Sequence, residues 1–158
     1  MANPLTLIMP LVEGVNLLEL AAALDGSKAE IDTALTSIGT VHYARFVLFD
    51  ASSANLQPSL KPGGPFSLSV ITDYDGSFTA YIQDFVNQIG DVFDKLLAFV
   101  VGGEGLIPVS QNVQAFTEFI AANDASQNGV NKLNPLYNAY SCTVQQVLAA
   151  DPCPETTS

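Results

Sequence analysis

The sequence predicts an α+β fold of the ferredoxin-like type, in which a split βαβ arrangement forms an antiparallel sheet. Three observations lead to this prediction. The predicted elements follow one another as a strand, helices, two strands and a long helix. The long helix has a wide apolar face. Residues 40–50 form a strand with two largely apolar faces. Because a sheet of this type carries helices on one face only, its other face needs a second sheet. We therefore expect a homodimer that forms a dimeric α/β barrel.

The first part of the chain predicts a strand, two helices and another strand. Residues 5–11 (LTLIMPL) are a short apolar run typical of a buried strand, and a stripe of leucines in residues 17–24 predicts a helix. Ser27 and Glu30 have the spacing of a capping box, which predicts the start of a second helix. Residues 40–50 (TVHYARFVLFD) are mostly β-branched or aromatic, which predicts the second strand.

A proline- and glycine-rich insertion loop, residues 51–65, separates this strand from the next and is too long for a tight hairpin. Residues 66–73 then alternate between apolar and polar side chains, which predicts a third strand. Ser77 is a favourable N-cap for the helix with the widest apolar face, residues 78–100. That face is expected to pack on the sheet.

The last part of the chain predicts shorter elements. Ser110 is expected to cap a helix, and residues 136–141 (LYNAYS) could form a short edge strand. Thr143 and Gln146 make a second capping box, which predicts a final helix. Residues 152–158 are expected to form a flexible tail.

Length and charge limit the classes of protein. The chain of 158 residues predicts a single domain over residues 1–151. The formal net charge is -11, with only 5 Lys and Arg, so nucleic acid and anionic membrane surfaces are not expected partners. The apolar N-terminal stretch lacks a preceding basic residue and is interrupted early, which favours a mature cytoplasmic chain.

The sequence predicts no metal site. Two cysteines, Cys142 and Cys153, with a single histidine do not make a zinc set, and Asp73 with Asp75 lacks the further oxygen ligands of a calcium loop. The two cysteines are expected to be free thiols, with a disulfide in the tail as the alternative.

The strand of residues 40–50 holds both the only histidine and the only arginine of the chain, His42 and Arg45. In a regular strand alternate side chains share a face, so Val41, Tyr43 and Arg45 are expected on one face and His42 on the other. At most one of His42 and Arg45 would then face a given cavity, unless a β-bulge intervenes.

Two segments of the chain, TVHYARFVLFD and DYDGSFTAYIQDF, together resemble a family of bacterial ferredoxin-like proteins. The resemblance extends to NPLTLIMPL near the start and to LYNAYSCTVQQVLAA near the end. It implies the dimeric α/β-barrel superfamily, whose relatives include dye-decolourising peroxidases, chlorite dismutase-like haem proteins and small cofactor-free monooxygenases. The proline-rich insertion and the acidic surface depart from the family pattern. The peroxidase relatives place their haem-ligating histidine late in the chain, and this chain has no histidine after position 42, so that ligand is not carried over.

Four residues are the candidates for a ligand-binding centre: His42, Arg45, Asp73 and Tyr74. His42 is also the candidate catalytic residue, although a single histidine among apolar residues is more often a hydrogen-bonded structural group. Arg45 is expected either in a structural ion pair with Asp73 or Asp75, or as the receptor of an anionic ligand group such as a haem propionate.

Three functions remain open from the sequence. The leading hypothesis is a homodimeric protein that binds a small molecule. The competing hypothesis is an oxidative enzyme, either a haem-dependent peroxidase-like enzyme that uses His42 or a cofactor-free oxygenase. The third is an interaction module without a pocket. Haem is an option as cofactor, and the sequence requires none.

Overall fold

The computed structural model describes residues 2–127 and 141–150. Helices pack on a three-stranded antiparallel sheet, which confirms the predicted α+β class. The strands, in the spatial order β1-β3-β2, are β1 (Ala2–Pro10), β2 (Val41–Asp50) and β3 (Phe66–Asp75). The helices are α1 (Leu17–Gly26), α2 (Lys28–Ile38), α3 (Phe78–Leu97), α4 (Val113–Asn123) and α5 (Val144–Ala150).

The strand order is compatible with a ferredoxin-like sheet, in which β3 lies between β1 and β2. The outer edge of β1 is partly paired: Leu7 forms an isolated bridge with Asp124, just after α4. Most of the predicted edge strand, residues 136–140, and the predicted tail lie outside the described residues.

One face of the sheet, called here the covered face, forms the core together with the helices. The alternation of the strands places Leu5, Leu7 and Met9 of β1 beside Leu68 and Val70 of β3, and all five are buried. Helix α3 packs on this face with the wide apolar side that the sequence predicts; its buried residues are Tyr81, Ile82, Phe85, Val86, Ile89, Val92, Phe93, Leu96 and Leu97. Burial of this apolar surface is the main term that stabilises the domain.

Two of the predicted helix starts are confirmed. The Ser77 hydroxyl accepts a hydrogen bond from the N–H of Ala80 (3.3 Å) at the start of α3. At α5 the capping box is reciprocal: the N–H of Thr143 donates to Gln146 Oε1 (2.8 Å), and the N–H of Gln146 donates to Thr143 Oγ1 (3.2 Å). These local patterns therefore determine the helix starts.

The two other predicted helices, α2 and α4, are present, but neither has the expected serine cap. Ser27 forms no side-chain capping bond, because it continues directly from α1 with helical backbone angles and is itself buried. Helix α4 begins at Val113, not after Ser110, because the chain first makes a turn in which the N–H of Gln111 donates to the carbonyl of Pro108 (3.0 Å). Tertiary packing overrides the local capping pattern at both places.

The insertion loop of residues 51–65 is held by Asp50, which lies at the end of β2 and is fully buried. Its Oδ1 accepts hydrogen bonds from the N–H and hydroxyl of Ser52 (2.9 and 2.6 Å) and from the N–H of Gly64 (3.0 Å), and its Oδ2 accepts from Gly63 (3.2 Å). The bond from the Ser52 hydroxyl is the largest cause that lowers the pKa of Asp50. A buried carboxylate thus ties both ends of the loop together.

Candidate functional site

The second face of the sheet, called here the open face, carries Arg45 on β2. The register aligns Arg45 with Ile71 on β3, and the next pair on the same face, two residues away, is Tyr43 with Asp73. The Arg45 side chain is exposed, while Asp73 is only 7% exposed. The open face therefore has a cation and a carboxylate on adjacent strands, offset by two residues.

Apolar side chains surround these polar groups. The same alternation that directs Arg45 to the open face directs Val47 and Phe49 of β2, Ile71 of β3 and Ile8 of β1 to it. All four are partly exposed, and in the described part of the chain none belongs to the core or to the apolar residues packed against it. The open face is thus an apolar surface that the described helices leave uncovered.

A β-bulge at His42 changes the expected alternation of β2. Val41 pairs with Tyr74, and Tyr43 pairs with the adjacent Asp73. Strand β2 therefore has one extra residue, without a partner on β3, between these two pairs. Val41 therefore lies on the covered face with Tyr74, and the prediction that it shares a face with Tyr43 and Arg45 is wrong. The extra residue is His42 itself.

His42 lies at the end of the sheet beside Asp75. Its Nε2 is 3.2 Å from Asp75 Oδ1, and Asp75 Oδ2 accepts a hydrogen bond from the N–H of Val144 (2.8 Å). Partial burial alone would raise the pKa of Asp75, but the bonds from Val144 and His42 outweigh it and lower that pKa. Asp75 thus connects the bulge to the start of α5, a structural role for the pair.

Arg45 does not form the predicted structural ion pair within one chain. No carboxylate of residues 2–127 and 141–150 lies within 4.0 Å of its guanidinium. Asp75 pairs with His42, and the Asp73 carboxylate beside the Tyr43 phenol raises the pKa of that phenol. Among the described residues, the guanidinium therefore has no ion-pair partner.

Tyr74 lies on the covered face, away from Arg45 and Asp73. Its ring stacks on Tyr81 with the centroids 4.0 Å apart, and Tyr81 continues to Phe85 (4.6 Å) in a row of aromatic rings. The four residues predicted to share one centre therefore occupy three places: Arg45 and Asp73 on the open face, His42 at the bulge, and Tyr74 beneath the helices.

Two large clefts are formed by described residues. A cleft of about 470 Å³ opens beside Tyr74, between the start of α3 and the end of α4. A cleft of about 510 Å³ lies at the opposite end of the sheet, between the start of β3 and the turn after β1, and includes Gly63 and Gly64 of the insertion loop. The sequence did not indicate either cleft, because each is built from residues far apart along the chain.

The arrangement does not fit a haem ligated by His42. The Nε2 of His42 is engaged by Asp75, and His42 lines neither of the two large clefts. In the described ranges no three His, Cys, Asp or Glu side chains are grouped so that they could hold a metal ion. Cys142 is a free, exposed thiol, and Cys153 lies outside the described residues.

Comparisons with known proteins found no match among protein-family models, curated proteins or solved structures. The described helices include none that is both long and apolar enough to cross a membrane. The fold and the site geometry therefore define an α+β protein with a three-stranded antiparallel sheet, and the function has to be inferred from its own residues.

Proposed function

We propose that this protein is a small-molecule-binding homodimer with ferredoxin-like subunits. The open faces of two sheets pack against each other as a dimeric α/β barrel and enclose the ligand. The observation that carries the proposal is that Ile8, Val47, Phe49 and Ile71 lie on one sheet face and outside the core. Apolar surface of this extent on a strand face favours association, and a second copy presents the same apolar surface.

Arg45 determines the class of ligand. It is the only lysine or arginine in the three strands, and a guanidinium enclosed between two sheets requires an anionic partner. Asp73 of the second copy is one such partner. A carboxylate or similar anion of the ligand is the other, and a planar carboxylate suits the two parallel N–H donors of a guanidinium. A small apolar molecule with one carboxylate therefore fits this face best.

Sedimentation velocity tests the dimer. We expect a dimer mass for the natural chain and a monomer mass for Val47→Lys, because a buried ammonium without a partner is strongly unfavourable. The matched control is Leu18→Lys on α1, where the leucine is already 82% exposed and the dimer should persist. Circular dichroism shows whether both variants remain folded. A compact natural monomer would refute the barrel.

Benzoate is the probe for the ligand site. Isothermal titration should show binding to the natural chain and a loss of affinity of about tenfold or more in Arg45→Met, because a charge-assisted hydrogen bond is removed. Lys61→Met, which removes a cation from the insertion loop, should bind benzoate as the natural chain does. Equal affinity of both variants would exclude Arg45 as the anion receptor.

The same preparations separate the two alternative functions. A Soret band in protein expressed with added haem, lost in His42→Ala, would favour the oxidative enzyme, although the His42–Asp75 pair gives that alternative no support. A dimer that binds neither benzoate nor haem and contains no cavity between its sheets would favour the interaction module.

A further inference from the structure

The cleft of about 470 Å³ beside Tyr74 is not part of the proposed barrel, since it opens on the covered face of the sheet. The end of the sheet forms its floor, and the first residues of α3 and the last of α4 form its walls. The residues that line it are Asn3, Tyr74, Gly76, Ser77, Phe78, Ala121, Asp124 and Gln127. The lining combines apolar groups such as Phe78 and Ala121 with a few polar ones, as in most small-molecule sites.

Tyr74 is a buried residue that lines this cleft and carries a hydroxyl group. Only 5% of Tyr74 is exposed, its ring is fixed against Tyr81, and its hydroxyl forms no hydrogen bond within the described residues. In these same residues, no side-chain oxygen or nitrogen that is completely shielded from solvent lacks a partner. The Tyr74 hydroxyl is therefore reached through the cleft, where a bound molecule could satisfy it.

The charges around the cleft disfavour an anion. None of the described residues that line it is a lysine, arginine or histidine, and Asp124 contributes a carboxylate. Asp124 Oδ1 is already engaged, since it accepts hydrogen bonds from the N–H of Thr6 (3.0 Å) and from the N–H of Ser126 (2.9 Å). Burial, and after it the charge of Asp124, raises the pKa of Tyr74, so the phenol stays protonated and can donate.

We propose that this cleft is a second binding site, which takes an uncharged, mainly apolar carbonyl compound such as an aryl ketone. The aromatic part lies against the apolar wall that includes Phe78, and the carbonyl oxygen accepts a hydrogen bond from the Tyr74 hydroxyl. The site differs from the open face in the charge it accepts, because a carboxylate that suits Arg45 would be repelled by Asp124.

Two-dimensional amide NMR of the full chain tests this site with acetophenone as the probe. Acetophenone should shift the amide signals of Gly76, Ser77 and Ala121, which lie in the cleft wall. In Tyr74→Phe the ring remains but the donor is lost, so the dissociation constant should rise about 3- to 10-fold, the usual effect of one neutral hydrogen bond. Ala121→Leu should reduce binding by filling the cleft.

Matched probes and a matched variant complete the experiment. Ethylbenzene has no oxygen that could accept the hydrogen bond of Tyr74, so its affinity for the natural chain and for Tyr74→Phe should be equal and weak. Benzoate should leave the amide signals of the cleft residues unchanged. Tyr43→Phe makes the same substitution on the open face and should bind acetophenone normally. The proposal is overturned if acetophenone leaves the cleft signals unshifted, if Tyr74→Phe binds it unchanged, or if benzoate shifts the same signals equally.

Discussion

On strand β3, Leu68 and Ile71 are three residues apart and have similar side chains, yet their surroundings differ. Leu68 lies on the covered face with 1% of its surface exposed, whereas Ile71 lies on the open face outside the core. The polar groups differ in the same way. Among the described residues, the cleft beside Tyr74 on the covered face has no cation in its lining, and Arg45 on the open face has no carboxylate within 4.0 Å of its guanidinium.

This difference indicates separate tasks for the two faces. The covered face holds the chain together through apolar burial and includes the cleft proposed to bind an uncharged molecule. The open face contributes little to the core of a single chain, and its apolar residues and Arg45 are the basis for the proposed association and anion binding. Four substitutions test how far this contrast holds.

The largest effect is expected for Leu68→Ala. Removal of a fully buried leucine side chain should lower the free energy of unfolding by about 2–5 kcal/mol. The matched change on the open face, Ile71→Ala, should lower it by about 1 kcal/mol or less when the protein is dilute enough to be monomeric. Urea unfolding at low protein concentration measures both. Equal losses would mean that the two faces are covered alike within one chain.

Gly103→Ala should have the next largest effect, because it tests how tightly the chain closes on the end of α3. A Cβ at Gly103 would overlap the carbonyl oxygen of Leu97 and lie 2.9 Å from its carbonyl carbon. The backbone must shift, and a loss of about 1–3 kcal/mol is expected from such overpacking. Gly105→Ala is the control, since nothing lies within 4 Å of its added Cβ. Similar urea midpoints for both variants would contradict the close packing.

Asp75→Asn should have a smaller and pH-dependent effect at the boundary between the two faces. The pKa of Asp75 is lower in the folded chain, so its carboxylate stabilises the fold fully above the unfolded value near 3.8 and loses this contribution as pH falls through the folded value. In thermal melts, the melting temperature of Asp75→Asn should be lower than that of the natural chain at pH 7, and this difference should decrease toward pH 3.

The exposed Asp84 on α3 provides the control for this measurement, because Asp84→Asn changes the same charge away from His42 and Val144. If the difference in melting temperature between Asp75→Asn and the natural chain stays constant from pH 7 to pH 3, the charge of Asp75 does not stabilise the contact between the bulge and α5.

Thr143→Ala should have the smallest effect, because it removes one half of the capping box at α5, a short helix without buried residues. A loss of about 1 kcal/mol or less is expected, and it should be local to α5. Hydrogen exchange should become faster in residues 144–150 and remain unchanged in β3. Thr143→Ser keeps the accepting hydroxyl and should exchange as the natural chain does; faster exchange in that variant would show that the methyl group, not the cap, matters.

Much of the secondary structure follows from short stretches of sequence. The alternation of residues 66–73, the apolar face of residues 78–97 and the Thr143–Gln146 spacing each act within a few residues, and the structure has the corresponding strand, helix and cap. The prediction of a single centre could not be made correctly, because the bulge at His42 and the position of Tyr74 depend on strand register.

What the sequence by itself determined is therefore the type and order of the elements, since hydrogen bonding and periodic burial within one helix or strand decide them. Only the tertiary structure decided the partners. Asp75 meets His42 and Val144 across 33 and 69 residues, and Asp124 meets Thr6 across 118. Such contacts carry no local pattern, because they form only when the whole sheet is assembled, and they divide the candidate residues between its two faces.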